Sequence, residues 1–294
     1  MAGDAPKPGD GTEVEVVWLI DMDPPSEALD GRGFYPAGPR DDPPDAALMQ
    51  ARLALLRDVV AGEAPGTTVV TVHTSPRFRT TFLEPPYTEA WAGLEAAGAV
   101  LALHPHEDRA DGTSLYDDPD HLAGVVRATM ALAVGRGVRL RAFRSGTFAF
   151  HPCLPELLAE VGIDLDLSAA PGFCDPRRGI DWAEGSEAYD VFLRQGVPVA
   201  EIPIGWDGAG GSLDANYLFN ERMDLAGLVR VWDRLRARAE ARQQVARVNF
   251  LAHGFGLADA GLRRQALRFL DHVRGCGGRL VAVDSLRPPP CAPH

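Results

Sequence analysis

Val100-Leu-Ala-Leu-His104-Pro-His106-Glu107-Asp108 is a short apolar run that stops abruptly at two histidines and two acids. Four consecutive apolar residues fit a strand buried on both faces, as in a parallel sheet. Residues i and i+2 of a strand point to the same side. His104 and His106 therefore aim two imidazoles at one point just past the strand's C-terminal end. Parallel α/β folds place ligands and chemistry at that end. A pair of solvated loop histidines is the competing reading, and the flanking chain has to decide between the two.

Upstream, Val14-Glu-Val-Val-Trp-Leu-Ile20 reads as a buried strand followed at once by Asp21-Met22-Asp23. Residues 24–44 hold six prolines and read as a long loop. Asp45 caps a helix to about Ala61, with Leu48, Leu55, Leu56 and Val59 on its apolar side and Leu53 at the edge. Thr67 to Val72 is a second strand, ending at His73, and a helix spans about 88–97. Downstream of the histidines, Asp118-Pro119 opens a helix to about Gly135, with Leu122, Val125, Val126, Met130 and Val134 at helical spacing. Strands are expected at 139–143, 163–167, 197–204, 247–252 and 279–283, and helices at 155–161, 224–244 and 259–274. The strand at 197–204 contains two prolines and is expected to be irregular or at an edge. Residues 168–196 read as a loop. Alternation of strand and helix along nearly the whole chain marks a parallel sheet with helical crossovers. The fold class is thus α/β: a distorted or incomplete (β/α) barrel of about seven or eight mostly parallel strands. It forms a single domain over 13–286, with disordered tails at 1–12 and 287–294. No GxGxxG follows the first strand, so no dinucleotide site is indicated.

Hydrophobic residues make up 46% and charged residues 24% of the 294, the balance of a globular domain with a sizeable core. A net charge of -12 disfavours nucleic acid and anionic membrane surfaces as partners. No secretory h-region and no membrane-length apolar run is visible, so a cytoplasmic location is expected. Cys153, Cys174, Cys276 and Cys291 are scattered without a CxxC pair and are expected to be free thiols.

The residues just past each strand are Asp21 and Asp23, His73, His104 and His106, Arg144, Asp166 or Ser168, and His253, with Glu201 inside its own strand. Gathering so many ionisable groups at one face is costly unless they pair or bind a cation. Two imidazoles and one carboxylate leave an open position, as in catalytic zinc sites. Such a metal acidifies water, a second carboxylate serves as general base, an arginine orients that base, and a distant histidine protonates a leaving amine.

The order of these motifs resembles the polysaccharide deacetylase family, the NodB-like carbohydrate esterases, from about Val14 to Val283. The resemblance is carried by Asp21-Met-Asp23, His104 and the residues after it, and Phe143-Arg144-Ser-Gly146-Thr-Phe-Ala-Phe150. Further on it includes Glu160-Val-Gly-Ile-Asp164-Leu-Asp-Leu-Ser168-Ala-Ala-Pro-Gly172, Glu201-Ile-Pro-Ile204 and Phe250-Leu-Ala-His253-Gly-Phe. It implies a distorted (β/α) barrel that hydrolyses N-acetyl groups of sugars with a divalent metal, often zinc. Carried over, it implies Asp21 as general base, Asp23 and His104 as metal ligands, Arg144 as the residue orienting the base, and His253 as general acid. Two departures leave alternatives open. Met22 separates aspartates that are adjacent in the family, so the roles of Asp21 and Asp23 are exchangeable. The family's second histidine lies at +4, where this chain has Asp108; strand-end geometry favours His106 as third ligand, with Asp108 as the alternate.

Around the site, Ser168, Trp182, Trp206 and Phe255 are candidate pocket residues. The aromatics offer a wall for an acetyl methyl or a face for a sugar ring, with core packing the competing reading of Trp206. The expected activity is metal-dependent cleavage of a non-peptide C–N amide bond. The expected substrate is a small N-acetylated aminosugar or another biosynthetic intermediate. A catalytically silent binding member of the same fold, and a PHP-type phosphoesterase barrel, are the alternatives.

Overall fold

A computed structural model of the chain describes residues 14–24, 46–76, 78–109, 113–182 and 187–288. In chain order the elements are β1 (Val14–Asp21), α1 (Ala46–Glu63), β2 (Thr68–Thr74), α2 (Tyr87–Ala96), β3 (Ala99–Pro105), α3 (Pro119–Gly135), β4 (Leu140–Phe143) and α4 (Leu154–Glu160). Then follow β5 (Leu165–Asp166), β6 (Cys174–Asp175), β7 (Ile180–Asp181), β8 (Ala200–Glu201), α5 (Leu225–Arg242), β9 (Ala246–His253), α6 (Gly254–Ala258), α7 (Ala260–Gly275) and β10 (Gly278–Leu280).

Seven parallel strands run β9-β1-β2-β3-β4-β5-β8 as one curled sheet, an incomplete (β/α) barrel in a single domain. β10 is parallel too, and pairs with the first half of β1 where β2 has not yet begun. The barrel nearly closes where backbone after β8 meets β9: Asn249 N–H donates to Pro203 O at 2.8 Å, and Gly205 N–H to Asn249 O at 2.9 Å. Proline in the 197–204 stretch explains why only Ala200–Glu201 is regular strand, since Pro203 has no N–H to give the ladder.

The inner strands are apolar because both faces are covered. Every residue of β1, β2 and β3 is buried, and their side chains join one continuous core with the inward faces of the helices. α1 buries Met49, Leu53, Leu56 and Val60, while Leu48 is exposed. The apolar stripe is therefore rotated from the one expected through Leu48, Leu55 and Val59. That helix is apolar on several sides, so periodicity alone leaves the buried face ambiguous. α3 likewise buries Leu122, Val125, Val126, Thr129 and Ala133 and leaves Val134 in solvent. Asp118, Asp224 and Asp259 cap α3, α5 and α7, accepting from backbone N–H groups of the first turn.

The proline-rich stretch after Pro24, the helix-capping role given to Asp45, and most of both tails lie outside the described residues. Arg287, expected to begin the C-terminal tail, is tied to Asp164, Asp284 and the carbonyl of Arg141. The loop expected at 168–196 holds the small antiparallel pair β6–β7. Cys153, Cys174 and Cys276 are free thiols, and Cys291 lies outside the described residues. Among the described residues no helix is long and apolar enough to cross a membrane.

Candidate metal centre

Parallel register sets the geometry of the barrel's mouth. His73 on β2 is the register partner of His104 on β3, and Asp21 on β1 is the partner of His253 on β9. Met22, between the two aspartates, is fully buried, and its N–H donates to Thr71 Oγ1 at 3.0 Å. It packs so closely under the β9–α6 turn that a Cβ on Gly254 would overlap its sulfur. The intervening methionine thus anchors the strand end in the core while Asp21 and Asp23 both approach His104.

Asp23, His73, His104 and His106 each offer a ligand atom, and these atoms lie within 4.8 Å of one another, all on buried residues. Asp23 Oδ1 is 3.1 Å from His73 Nδ1, 3.5 Å from His104 Nε2 and 3.8 Å from His106 Nε2. Asp21 stands further out, 3.9 Å from His104 Nε2, with Arg144 Nε 3.5 Å from its Oδ2. Asp108 sits behind His106, its Oδ2 3.4 Å from Nδ1, and is not part of the four-residue group.

The donor set fits a cation. His104 Nδ1 is 2.7 Å from the carbonyl oxygen of Arg144, which only accepts, so Nδ1 carries the hydrogen. Its Nε2 therefore turns a lone pair towards His106 Nε2, only 3.1 Å away, and towards the Asp23 carboxylate. Lone pairs converging on one point need positive charge between them. A histidine whose far nitrogen is fixed by a carbonyl or carboxylate is the usual support for a metal ligand. Protonation follows the same field. Burial disfavours charge on His106, yet the hydrogen bond to Asp108 and the charges of Asp23, Asp108 and Asp21 raise its pKa overall. Burial would lift the Asp23 carboxyl, but the adjoining imidazoles of His104, His73 and His106 hold it well below the usual range. His73, fully buried, is lowered to about 4 because burial outweighs its bond to Asp23.

Two flanks complete the mouth. On one, Arg144 stacks over the Phe148 ring at 4.0 Å and donates to Ser145 O at 2.9 Å. Asp21 Oδ1 is buried with no hydrogen-bond partner among the described residues. Beneath Arg144, burial raises both carboxyls of Asp166 and Glu201, Asp166 to about 6. On the other flank, His253 Nε2 is 3.6 Å from Asp23 Oδ2, and Nδ1 is 3.4 Å from Glu221 Oε2. His253 N–H also donates to Glu221 Oε1 at 2.8 Å. Its ring is stacked on both Phe219 and Phe255, with centroids 5.3 and 4.8 Å away. Burial opposes charge on His253, but the hydrogen bond and charge of Glu221, with Asp23 and Asp21, raise it to about 9.

A cavity of about 410 Å³ opens over these groups, lined by Asp21, Asp23, His104, His106, Arg144 and His253. Phe255 lines it, but the other expected pocket residues do not. Ser168 lies fully buried below, bonded to Asp166 and accepting from Ser145 N–H. Trp182 is buried behind the wall, its indole N–H donating to Phe148 O at 2.8 Å. Trp206 lines a separate cavity against α5, under Arg238. Glu201 accepts from Ala169 N–H and stands beside Asp166, and Asp164 is paired with Arg287 at the surface. Glu221 and Phe219 are not legible as site residues, because both sit in an irregular segment with no strand end to mark them; Thr147, inside the Phe143–Phe150 stretch, has no chemistry that sets it apart. His73 carries a signal, its place at the C-terminal end of β2.

The curled seven-stranded parallel sheet is the fold of solved structures described as polysaccharide deacetylases. The chain superposes over 100% of its length, at 14% identity and TM-score 0.56, on 98% of a Mycobacterium smegmatis protein assigned as a polysaccharide deacetylase. A Pseudomonas aeruginosa PAO1 protein of the same assignment gives 13% identity and TM-score 0.55, covering 95% of this chain and 91% of that one. The allantoinase Puue gives 11% identity and TM-score 0.55, covering 96% and 92%. No family model and no curated protein sequence matches the chain.

Proposed function

We propose that this chain is a metal-dependent hydrolase of a non-peptide C–N amide bond. It would remove an acyl group, acetyl in the simplest case, from a small N-acylated compound such as an amino-sugar conjugate or another biosynthetic intermediate. The reading is carried by the convergence of Asp23, His73, His104 and His106 within 4.8 Å, between the Asp21–Arg144 and His253–Glu221 pairs. Asp23, His104 and His106 would hold the ion, and their imidazole-plus-carboxylate chemistry suits zinc. A divalent cation there supplies Lewis acidity towards the acyl oxygen and acidifies water at neutral pH.

The chain's own groups do the rest. Asp21 lines the cavity with a carboxylate oxygen left without a partner among the described residues, and would accept a proton from the attacking water. Arg144 fixes its orientation from 3.5 Å. His253, on the far side and locked by Glu221 and two phenyl rings, donates the proton that the departing nitrogen needs. The same distances argue for Asp23 rather than Asp21 as the ligand, and for His106 rather than Asp108.

The test is His104→Ala beside wild type, with metal content measured on the purified proteins and acetate release measured over a panel of small N-acetyl compounds. Wild type should carry about one metal ion per chain and release acetate; H104A should do neither. Full turnover by metal-stripped H104A would end the proposal.

A further inference from the structure

We propose that the cavity over the cluster is built for an N-acyl compound with an aromatic or otherwise apolar body, and not for a glycan. The inference rests on the hydrolase reading above and narrows its substrate class. Beyond the groups already given roles, six lining side chains are hydrocarbon only: Phe148, Phe173, Leu213, Phe219, Leu251 and Phe255. Among the described residues, no Asn, Gln, Ser, Tyr or Trp side chain lines the cavity. The other charged lining residues pair with acids, Arg178 with Asp175 at 3.7 Å and Arg222 with Asp214 at 3.3 Å.

A saccharide carries a hydroxyl on almost every carbon, and each one buried without a partner is costly. An aryl or alkyl body asks for nothing but carbon contact, which this wall supplies. The phenyls are held firmly. Phe148 lies under the Arg144 guanidinium and meets Phe173 edge-on at 5.9 Å, while Phe219 and Phe255 clasp His253. Four rings and two leucines beside the Asp/His cluster match a molecule whose one amide lies at the cluster and whose remainder is apolar.

Zinc-reconstituted protein is titrated calorimetrically with acetohydroxamate and benzohydroxamate, which share a metal-binding head and differ by a phenyl. Acetanilide and N-acetylglucosamine are then compared as competitors of benzohydroxamate. Benzohydroxamate should bind about ten-fold tighter or better, the gain expected from burying a ring. That ratio should shrink in Phe173→Ala and in Leu213→Ala, and acetanilide should compete at lower concentration than N-acetylglucosamine. Equal affinity for the two hydroxamates, or stronger competition by the sugar, overturns the apolar-substrate inference and leaves the metal-hydrolase reading standing. Failure of both hydroxamates to bind removes the metal centre and this inference with it.

Discussion

A Cβ on Gly146 would lie 2.7 Å from His106 Cγ, 2.8 Å from its Nδ1 and 2.8 Å from Pro105 O. Only a hydrogen fits, so the residue two past Arg144 sets where the His106 ring can stand. Gly146→Ala should keep the fold but weaken metal affinity about 10–100-fold, the usual cost of disturbing a ligand's support. Metal titration with unfolding curves checks this, and wild-type affinity in G146A would deny His106 its role. A second residue-scale expectation concerns Asp166, lifted by burial from 3.8 to about 6. Between those values the folded chain holds a proton that the unfolded chain has released. Stability from this group is therefore complete below about pH 4 and is lost as pH rises towards 6. Two pH units at ~1.4 kcal/mol each put the loss at about 3 kcal/mol. Asp166→Asn cannot ionise, so its stability relative to wild type should improve by up to that amount between pH 4 and 7; parallel urea-unfolding profiles would contradict it. At this scale the sequence is informative where a polar side chain stands at a strand end, as with Asp23, His104, Arg144 and His253, which the fold brings to one mouth. It is silent on Glu221, because nothing around Phe219-Asn-Glu221 announces that the backbone returns to β9.

The segment after β4 shows how an element is bent to serve the mouth. Thr147 has φ 54° and Phe148 φ 62°, two successive non-glycine residues in the left-handed region. Such conformations cost roughly 1–3 kcal/mol each and persist where the surroundings enforce them. Here the Trp182 indole holds the Phe148 carbonyl and Arg144 holds its ring. Thr147→Gly should relieve the strain and raise stability by about 1 kcal/mol. It should also lower kcat, as Phe148 loosens from Arg144. Thermal unfolding and turnover measured together decide it, and a fall in both would mean the turn is not strained. The long strands were legible because both their faces are buried and their apolar runs are continuous. The helices were legible as helices but not always by face, as Leu48 and Val134 show. The β6–β7 pair, two residues a strand, has no periodicity to detect, yet it borders the segment that brings Phe173, Asp175 and Arg178 to the cavity.

Across the molecule, the groups of the centre come from β2, β3 and the end of β1, while His253 comes from β9. Strand–helix alternation made the barrel readable, whereas the sparse closure between the 203–205 backbone and β9 depends on tertiary contacts with no local signature. This layout has a thermodynamic consequence. A cation held by Asp23, His104 and His106 ties strand ends that are far apart in sequence, and those ends meet only in the folded chain. An ion that binds the native state alone adds about 2.7 kcal/mol at one hundred times its Kd. In a chain of this size that corresponds to a rise in Tm of roughly 4–5 °C. Chelation should remove the increment, stoichiometric zinc should restore it, and H104A should show neither response. The same titration on Asp108→Ala separates the ligand alternatives. If His106 is the third ligand, D108A keeps most of the zinc-induced shift, because Asp108 only backs the ring from 3.4 Å. If the shift disappears in D108A and survives in His106→Ala, the carboxylate has taken the imidazole's place in the site.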